Sequence, residues 1–557
     1  MRAEAHAALI DAGLRALGES RWDDARESFE TALEDREMPE GLEGLSWAAW
    51  WLDDAPAVFE ARERAYRLYR RNGRVPDAAR MAIWLAIDHL DFNGSSAVAS
   101  GWLRRAGRLL AHLEPTPEHG WLAFQEGYLA HISGDFRFAV EKAREAATSG
   151  RRFAVADLEM LGLALEGSAL VATTSVEDGM RCLDEATATA LEGEATVPIS
   201  CAWAFCFLVS SCLDLRDYQR AFDWSDRIAE FAEKHRSRYM LGFCRSHWGA
   251  VHLSRGRWSD AEADILGAIA AYERSRPAMA GDAFSWLAEL RRRQGRLTEA
   301  DALLARAGGG LSAQLCQARL ALDHGQGARA IELAERCVRQ VPDGNPQVAG
   351  ALEVIVRARA DHGELQEAAT AAASLRATAE RANTAPMRAS AVVAEGLLAM
   401  ARGDHDAARR ALEDGVDAFA RAGAQFEAST ARLDLARAMA AMGRLDSAVT
   451  EARLALRDFE SLGAEGQADR ARHVIQQLAA DPGTSAVGMI SITPREREVL
   501  ELVARGWTNR RIATHLVISE HTVHRHVTNV LRKLDVPSRS AAVALAARAG
   551  LLPNQAP

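Results

Sequence analysis

A short segment near the C-terminus, SEHTVHRHVTNVLRKL (residues 519–534), concentrates side chains that could do chemistry. His521, His524 and His526 fall within six residues, and His515 lies just upstream. Histidine binds zinc and titrates nearest to neutral pH, so the segment is compatible with a metal site or a pH switch. Its arginines and lysine are equally compatible with a surface that contacts a charged partner.

Helical geometry separates these histidines. At about 100° per residue, one side of a helix collects the apolar residues Val523, Val527, Val530, Leu531 and Leu534. The opposite, exposed side carries His521, Arg525, Thr528 and Arg532. His524 flanks the exposed side, whereas His526 lies at the rim of the apolar side. A zinc site needs three or four converging ligands, so this arrangement disfavours a metal, and exposed imidazoles give little reason for a pH switch.

The flanking residues predict the helices that would position this segment. Thr493, Pro494 and Glu496 form a capping box that begins a first helix, and Gly506 ends it. Further helices are expected to begin at Thr508, Ser519 and Ser538. Two helices joined by a short turn, with the second one basic, form the helix-turn-helix pattern.

This domain resembles the LuxR/FixJ-type DNA-binding domain over about 63 residues. The family pattern, roughly T-x-R-E-x-E-V-L, G-x-T-N-K-x-I-A, L-x-I-S-x-x-T-V-K-x-H-V, K-L and R-x-x-A-V, is nearly all present. Two departures concern the third helix, where His524 and Thr528 stand at positions at which the family often has lysine. The base preference of better-known members therefore does not transfer to this chain.

The resemblance implies that the third helix enters the major groove of promoter DNA. Arg525 would donate two hydrogen bonds to a guanine edge, and His524 and Thr528 would reach base edges. Arg510 and Lys533 suit phosphates, and His526 matches a family histidine that we interpret as structural. The predicted DNA-contacting set is Thr508, Asn509, Arg510, Ser519, His521, Thr522, His524, Arg525, Thr528, Asn529, Arg532 and Lys533.

The fourth helix resembles the dimerisation helix of that family. Val543, Ala544 and Ala547 are its predicted dimer contacts, so homodimers would bind two inverted half-sites on DNA. Alternatively, this helix only covers the end of the helix bundle.

A repeat with a period near 40 residues occupies the rest of the chain. Each copy begins with a turn glycine or its substitute, followed by alanines and bulky residues at spacings that share one helical face. The copies resemble tetratricopeptide repeats and predict about twelve helical hairpins stacked as an α-solenoid. Strong copies span 134–146, 256–268, 295–307, 363–375, 403–415 and 443–455, and weaker copies begin at Ser20, Gly94, Thr174, Arg216 and Gly325.

Aromatic residues are concentrated in the N-terminal half of the repeats, where eleven of the thirteen tryptophans precede residue 260. One hypothesis is a ligand groove lined by Trp47, Trp50 and Trp51, because ligand pockets are commonly apolar with aromatic walls. The alternative is that these rings fill the core between the helices.

The charge distribution and the sequence motifs favour some classes of protein and disfavour others. The net charge is −10, but residues 491–557 carry +5, so contact with nucleic acid is expected at the C-terminus only. The chain contains no phosphate-binding G-x-x-x-x-G-K-[ST] motif and no local nucleophile motif, which disfavours an enzyme and a cofactor. Seven cysteines without a C-x-x-C pair, and no apolar run of membrane-spanning length, favour a cytoplasmic protein.

These observations predict an all-α protein of two domains, a repeat domain (1–478) and a LuxR-type helix-turn-helix domain (492–557), joined by a linker (479–491). We expect a bacterial transcription regulator that senses a small molecule or protein partner through its repeats and binds promoter DNA, with RNA polymerase as a further partner. The alternative is a repeat-based adaptor that acts mainly through protein contacts.

Overall fold

The computed structural model describes residues 2–480 except 174, 194, 196 and 235–237, residues 493–533 except 506, and Arg539 and Ala542. Every regular element in these ranges is helical, which confirms the all-α prediction. The repeat region contains α1 (Arg2–Gly18), α2 (Trp22–Leu33), α3 (Pro39–Trp51), α4 (Ala55–Arg71), α5 (Val75–Asp91), α6 (Ser96–Leu110), α7 (Pro117–Ile132), α8 (Phe136–Phe153), α9 (Ala156–Val171), α10 (Val176–Glu192), α11 (Pro198–Asp214), α12 (Tyr218–Lys234), α13 (Arg238–Ser254), α14 (Trp258–Ser275), α15 (Gly281–Arg293), α16 (Leu297–Ala307), α17 (Leu311–Asp323), α18 (Gly327–Gln340), α19 (Ala349–Asp361), α20 (Leu365–Ala382), α21 (Ala385–Ala401), α22 (His405–Arg421), α23 (Gln425–Ala441), α24 (Leu445–Leu462) and α25 (Glu465–Ala480).

Within the described part of the repeat region, consecutive helices pair into twelve hairpins, and α25 packs on the last of them. In the hairpin turns that the structure describes in full, one residue takes the left-handed conformation, which glycine adopts without a Cβ penalty. Gly134 and Gly403 meet this need with φ of 85° and 78°. Ser20 and Arg216 take the same position in two weaker copies, with φ of 57° and 55°, so the turn persists without glycine.

Small residues allow the paired helices to approach closely. A Cβ atom placed on Gly167 of α9 would lie 2.6 Å from the carbonyl oxygen of Gly179 on α10, so a larger residue would force the helices apart. On α8, Ala139, Ala143 and Ala146 are fully buried and form the stripe that faces its neighbours. A single hairpin cannot bury such a stripe, and stacking of adjacent hairpins completes the core.

The three tryptophans predicted to line a groove pack among other aromatic rings. Trp51 stacks on Trp22 with ring centroids 4.5 Å apart, and Trp47 meets Trp84 edge-on at 4.7 Å. Trp50 and Trp51 are buried and belong to the main hydrophobic core. Core packing accounts for these positions, and the role of the three rings in ligand binding stays a prediction.

The solenoid coils tightly enough for helices far apart in sequence to touch. Thr384 Oγ1 at the start of α21 donates a hydrogen bond of 2.7 Å to the carbonyl oxygen of Leu215, which follows α11. Arg216 Nη1 donates to Glu353 Oε1 on α19 at 2.7 Å. Residues of α11 to α25 line two cavities beside these contacts.

The C-terminal domain contains α26 (Pro494–Ala504), α27 (Asn509–Leu516) and α28 (Glu520–Lys533). The predicted capping box is present, since the Glu496 amide donates to Thr493 Oγ1 at 3.2 Å and Glu496 Oε2 accepts from the Thr493 amide at 2.8 Å. The buried core of this domain includes Val499, Leu502, Val503, Ile512, Ala513 and Val523. Val523 and the buried Val530 belong to the apolar side predicted for the third helix.

Two predictions fall largely outside the described residues. Residues 481–491, which are most of the predicted linker (479–491), lie outside the described residues. The helix α25 runs to Ala480, two residues into the predicted linker. The predicted fourth helix is described only at Arg539 and Ala542, so Val543, Ala544 and Ala547 lie outside the described residues. Among the helices that the structure describes, none is long and apolar enough to cross a bilayer.

Candidate nucleic-acid interface

Local hydrogen bonds set the angle between α27 and α28. Thr508 Oγ1 accepts from the Arg511 amide at 3.4 Å, and Ser519 Oγ accepts from the Thr522 amide at 3.0 Å, so both predicted caps are present. Between the helices, Val517 adopts the left-handed conformation with φ 53°. Arg495 Nη2 donates to the Leu516 carbonyl oxygen at 2.9 Å, which ties the end of α27 to α26.

The predicted DNA-contacting residues occupy one side of α28 and the start of α27. His524, Thr528, Thr508, Arg510 and Ser519 are exposed. Half-buried positions are Asn509, His521, Thr522, Arg525, Asn529 and Lys533, and the side chain of Arg532 lies outside the described part.

Besides the capping residues, Thr528, Asn509 and Lys533 of the predicted set have partners within their own domain. Thr528 Oγ1 donates to the His524 carbonyl oxygen at 3.0 Å. Asn509 Oδ1 accepts from Arg539 Nη1 at 2.7 Å, and Lys533 Nζ donates to Glu496 Oε2 at 2.6 Å. Sequence reasoning missed the Asn509 and Lys533 contacts because their partners lie 30 and 37 residues away.

The histidines divide as the helical phase predicts. His526 is half-buried, and burial followed by the nearby Arg525 charge lowers its pKa, so its imidazole is neutral near pH 7. His524 is exposed to solvent, and His521 is half-buried beside Asp417 of α22. Within the described ranges, no three His, Cys, Asp or Glu side chains converge as metal ligands would.

Part of the predicted DNA-contacting side of α28, at His521 and Arg525, is covered by α22 of the repeat region. Arg525 Nη2 lies 3.5 Å from Glu413 Oε2, and its Nη1 lies 3.6 Å from Asp417 Oδ1. His521 Nε2 lies 3.6 Å from the other Asp417 oxygen. The Arg525 side chain is only 20% exposed as a result. We call Glu413, Asp414 and Asp417 the acidic face of α22.

Electrostatics favour this contact. Burial alone would lower the pKa of Arg525, but Glu413 and Asp417 outweigh burial and raise it. On the acidic face, burial and then the neighbouring carboxylates of Asp417 and Glu413 raise the pKa of Asp414. Three carboxylates within five positions of one helix repel each other, and a cation between them relieves that repulsion. In the sequence, this acidic run looks like any solvated helix face, and its partner is about 110 residues away.

Two family profiles match the chain. The profile described as "Bacterial regulatory proteins, luxR family" matches residues 490–546, which include the whole of α26 to α28. A tetratricopeptide repeat profile matches residues 317–386, from within α17 to the start of α21. These two matches correspond to the two resemblances seen in the sequence.

Curated relatives are similar to the C-terminal domain. The chain is 48% identical to the spore germination protein GerE of Bacillus subtilis over 61 residues, which are 11% of this chain and 82% of that protein. It is 46% identical over 66 residues to the transcriptional regulatory protein LiaR of the same organism, covering 12% of this chain and 31% of that one. An HTH-type transcriptional regulator of Mycobacterium tuberculosis is 42% identical over 96 residues, covering 17% of this chain. The match spans only 11% of that relative's length.

Two solved structures match the chain at low identity. A Rap protein complexed with competence and sporulation factor is 14% identical, with a TM-score of 0.41, and the match covers 74% of this chain and 99% of that one. The APC/C hetero-tetramer Cut9–Hcn1 is also 14% identical, with a TM-score of 0.34 over 84% of this chain and 96% of that one.

Proposed function

Because the chain belongs to the luxR family of bacterial regulatory proteins, we propose that its repeat region controls when its helix-turn-helix domain binds promoter DNA. The family is a class of transcription regulators and not a class of enzymes. DNA binding through a LuxR-type helix-turn-helix follows from family membership. Control by the repeats, with an effector as the signal, is the proposed step.

The observation that carries this proposal is the contact between Arg525 and the acidic face of α22. A recognition helix that enters the major groove must free the side chains that read bases. In the arrangement described above, Arg525 is held at 3.5 Å from Glu413 and 3.6 Å from Asp417, so carboxylates occupy the place of DNA. The covered state and the DNA-bound state therefore exclude each other.

Helix α22 also borders the interior of the solenoid. Asp417 and Phe419 are two positions apart on α22, about 200° around the helix axis, and so face nearly opposite sides. Asp417 contacts α28, whereas Phe419 lines the two interior cavities of the repeat region. An effector that moves Phe419 would shift α22, and that shift would bias the balance between covered and free states.

The remaining partners follow from the proposed role. A regulator of this kind acts in the cytoplasm, binds promoter DNA as a homodimer on inverted half-sites and contacts RNA polymerase. The predicted dimer contacts Val543, Ala544 and Ala547 belong to this proposal.

The test uses the full chain and its Glu413→Gln/Asp417→Asn double variant, which keeps side-chain shape and removes charge. Fragments selected from genomic DNA by the variant serve as probes, and affinity is measured by fluorescence anisotropy at fixed salt. We expect the variant to bind about tenfold more tightly than the wild type, because about 1.4 kcal/mol of competing contact is lost. Asp406→Asn, an exposed carboxyl of α22 outside the acidic face, is the matched control and should bind like the wild type.

Equal affinities for wild type and double variant would show that the acidic face does not control access to DNA. If the double variant selects no sequence at all, the chain acts as a repeat-based adaptor and the proposed function is wrong.

A further inference from the structure

The interior of the solenoid holds two adjoining cavities with volumes of about 190 and 390 Å³. Together they are large enough for a small organic ligand. The residues common to both linings are Glu289, Arg293, Arg319, Glu353, Phe419 and Glu427. They come from α15, α17, α19, α22 and α23, so the junction of the cavities is where the coil of the solenoid brings distant repeats together.

Arg293 leaves one hydrogen-bond donor free at this junction. Its Nε donates to Glu289 Oε1 and its Nη2 donates to Glu427 Oε1, each at 2.8 Å. Its Nη1 is buried and has no hydrogen-bond partner among the described residues, and the side chain is only 8% exposed. A buried guanidinium nitrogen without an acceptor costs free energy, which an anionic ligand atom would recover.

Arg319 adds a second cation beside it. Glu289 already accepts two hydrogen bonds from Arg292 and one from Arg293, so Arg319 reaches it only at 3.5 Å. Arg319 lies 3.9 Å from Glu353, its side chain is 23% exposed, and it lines both cavities. Three arginines thus surround one fully engaged glutamate, and Arg319, the most loosely held of them, is positioned to pair with a ligand carboxylate.

Glu427 supplies the opposite charge close by. Its Oε1 accepts from Arg293, whereas its Oε2 is buried and has no donor among the described residues. An ammonium group of a ligand would satisfy that oxygen. Phe419 and Phe426 line the larger cavity next to it, with Val393 and Leu397, and provide an apolar wall.

The charge balance of the larger cavity excludes a polyanion. Six arginines and six carboxylates line it, so the net charge of the lining is zero, and a phosphate-rich ligand would meet as much repulsion as attraction. A ligand that carries one charge of each sign matches the separate positive and negative groups.

We propose that this junction binds a free amino acid with an apolar side chain. Arg293 Nη1 and Arg319 hold the carboxylate, Glu427 Oε2 accepts from the ammonium, and the side chain packs against Phe419 and Phe426. Binding itself is independent of DNA, and only its regulatory meaning rests on the proposed function.

Isothermal titration calorimetry on the full-length wild type tests the assignment without any variant. The probes are L-valine, L-leucine, L-isoleucine, L-methionine, L-phenylalanine, L-tyrosine and L-tryptophan, each added singly. For whichever binds, the amide lacks the carboxylate and the N-acetyl form lacks the ammonium. We expect each analogue to bind at least about tenfold more weakly, because each leaves a buried charged group unpaired. No binding by all seven, or equal binding of the analogues, overturns the proposal.

Variants locate the site. Arg319→Met removes a cation that makes no close ion pair, and Glu427→Gln removes the acceptor charge, so each should weaken amino-acid binding about tenfold or more. Arg329→Met, on the exposed side of α18, is the control and should bind like the wild type. Thermal denaturation checks that each variant is folded. Unchanged affinity in both folded cavity variants contradicts the site.

The failure of this inference is distinguishable from the failure of the proposed function. If the Glu413→Gln/Asp417→Asn variant gains DNA affinity while no amino acid binds, the ligand assignment is wrong and the control of DNA binding stands. If an amino acid binds as expected but leaves DNA affinity unchanged, the site stands and its coupling to α22 is wrong.

Discussion

Lys533 Nζ lies 2.6 Å from Glu496 Oε2, and this ion pair joins the end of α28 to the capping box that begins α26. Glu496 is buried, and the same oxygen accepts from both the amide and the hydroxyl of Thr493. Lys533 was predicted as a phosphate contact, and the structure gives it a second role within the domain.

Two variants separate the ion pair of Lys533 with Glu496 from its predicted contact with phosphate. Lys533→Met should lower the stability of the helix-turn-helix domain by roughly 1–3 kcal/mol, because a buried carboxylate loses its cation, and it should also weaken DNA binding. Arg510→Met, at an exposed predicted phosphate contact, should weaken binding to all sequences without loss of stability. Hydrogen exchange of α26 and α28 reports stability, and anisotropy reports affinity. Equal protection in the two variants would contradict the structural role of Lys533.

Arg525 is expected to read a base. In the Glu413→Gln/Asp417→Asn background, where the acidic face no longer competes, Arg525→Ala should reduce discrimination between selected and random DNA by about 1–3 kcal/mol. Competition binding at one salt concentration measures this difference. Arg505→Ala, an exposed arginine at the end of α26, should leave discrimination unchanged. An equal loss of affinity on selected and random DNA would reduce Arg525 to a phosphate contact.

Val517 occupies a strained backbone position between α27 and α28. It has φ 53° and ψ 48°, and its side chain is 89% exposed, so it is a β-branched residue in the left-handed region without compensating burial. Val517→Asn should raise the opening free energy of this turn by about 0.5–1 kcal/mol, because asparagine tolerates that conformation. Hydrogen exchange of α27 and α28 should slow by a few-fold. Faster exchange in the variant would mean that the turn carries no strain.

The buried carboxyl of Asp91 should make the stability of the repeat region depend on pH. Burial, only partly offset by Arg276, raises its pKa to about 7, and its Oδ2 has no hydrogen-bond partner in the part of the chain that the structure describes. An unfolded aspartate titrates near 3.9. Between these values the folded state holds the proton and the unfolded state does not, so this group's contribution to stability falls as pH rises through about 7.

Asp91→Asn removes that loss. We expect the variant to be more stable than the wild type at pH 8, by at least about 1.4 kcal/mol, and therefore to unfold at a higher temperature. At about pH 3, where the carboxyl is protonated in both states, the two proteins should differ little. Asp301→Asn, at a largely exposed carboxyl, should follow the pH profile of the wild type. A variant that is less stable at pH 8 than the wild type would show that the ionised carboxylate stabilises the fold through Arg276.

Much of the C-terminal domain could be predicted because its signals are local. The capping residue Thr493 and its partner Glu496 are three positions apart, and the apolar positions of α28 follow one helical period. The turn glycines of the repeats behave in the same way, since a left-handed residue is required wherever two helices meet at a short turn. The tryptophans illustrate the limit, because an aromatic cluster in a sequence does not distinguish a groove from a core.

The sequence by itself determined the all-α class, the repeat, the helix-turn-helix domain and the face of α28 that carries Arg525, because each depends on spacings of a few residues. Only the tertiary structure decided what that face touches and where charged groups gather. Arg525 meets Glu413, and Arg293 meets Glu427 across 134 residues, because the solenoid coils and places distant helices side by side. Spacing along a chain carries no record of such contacts, since they arise from the accumulated geometry of many hairpins.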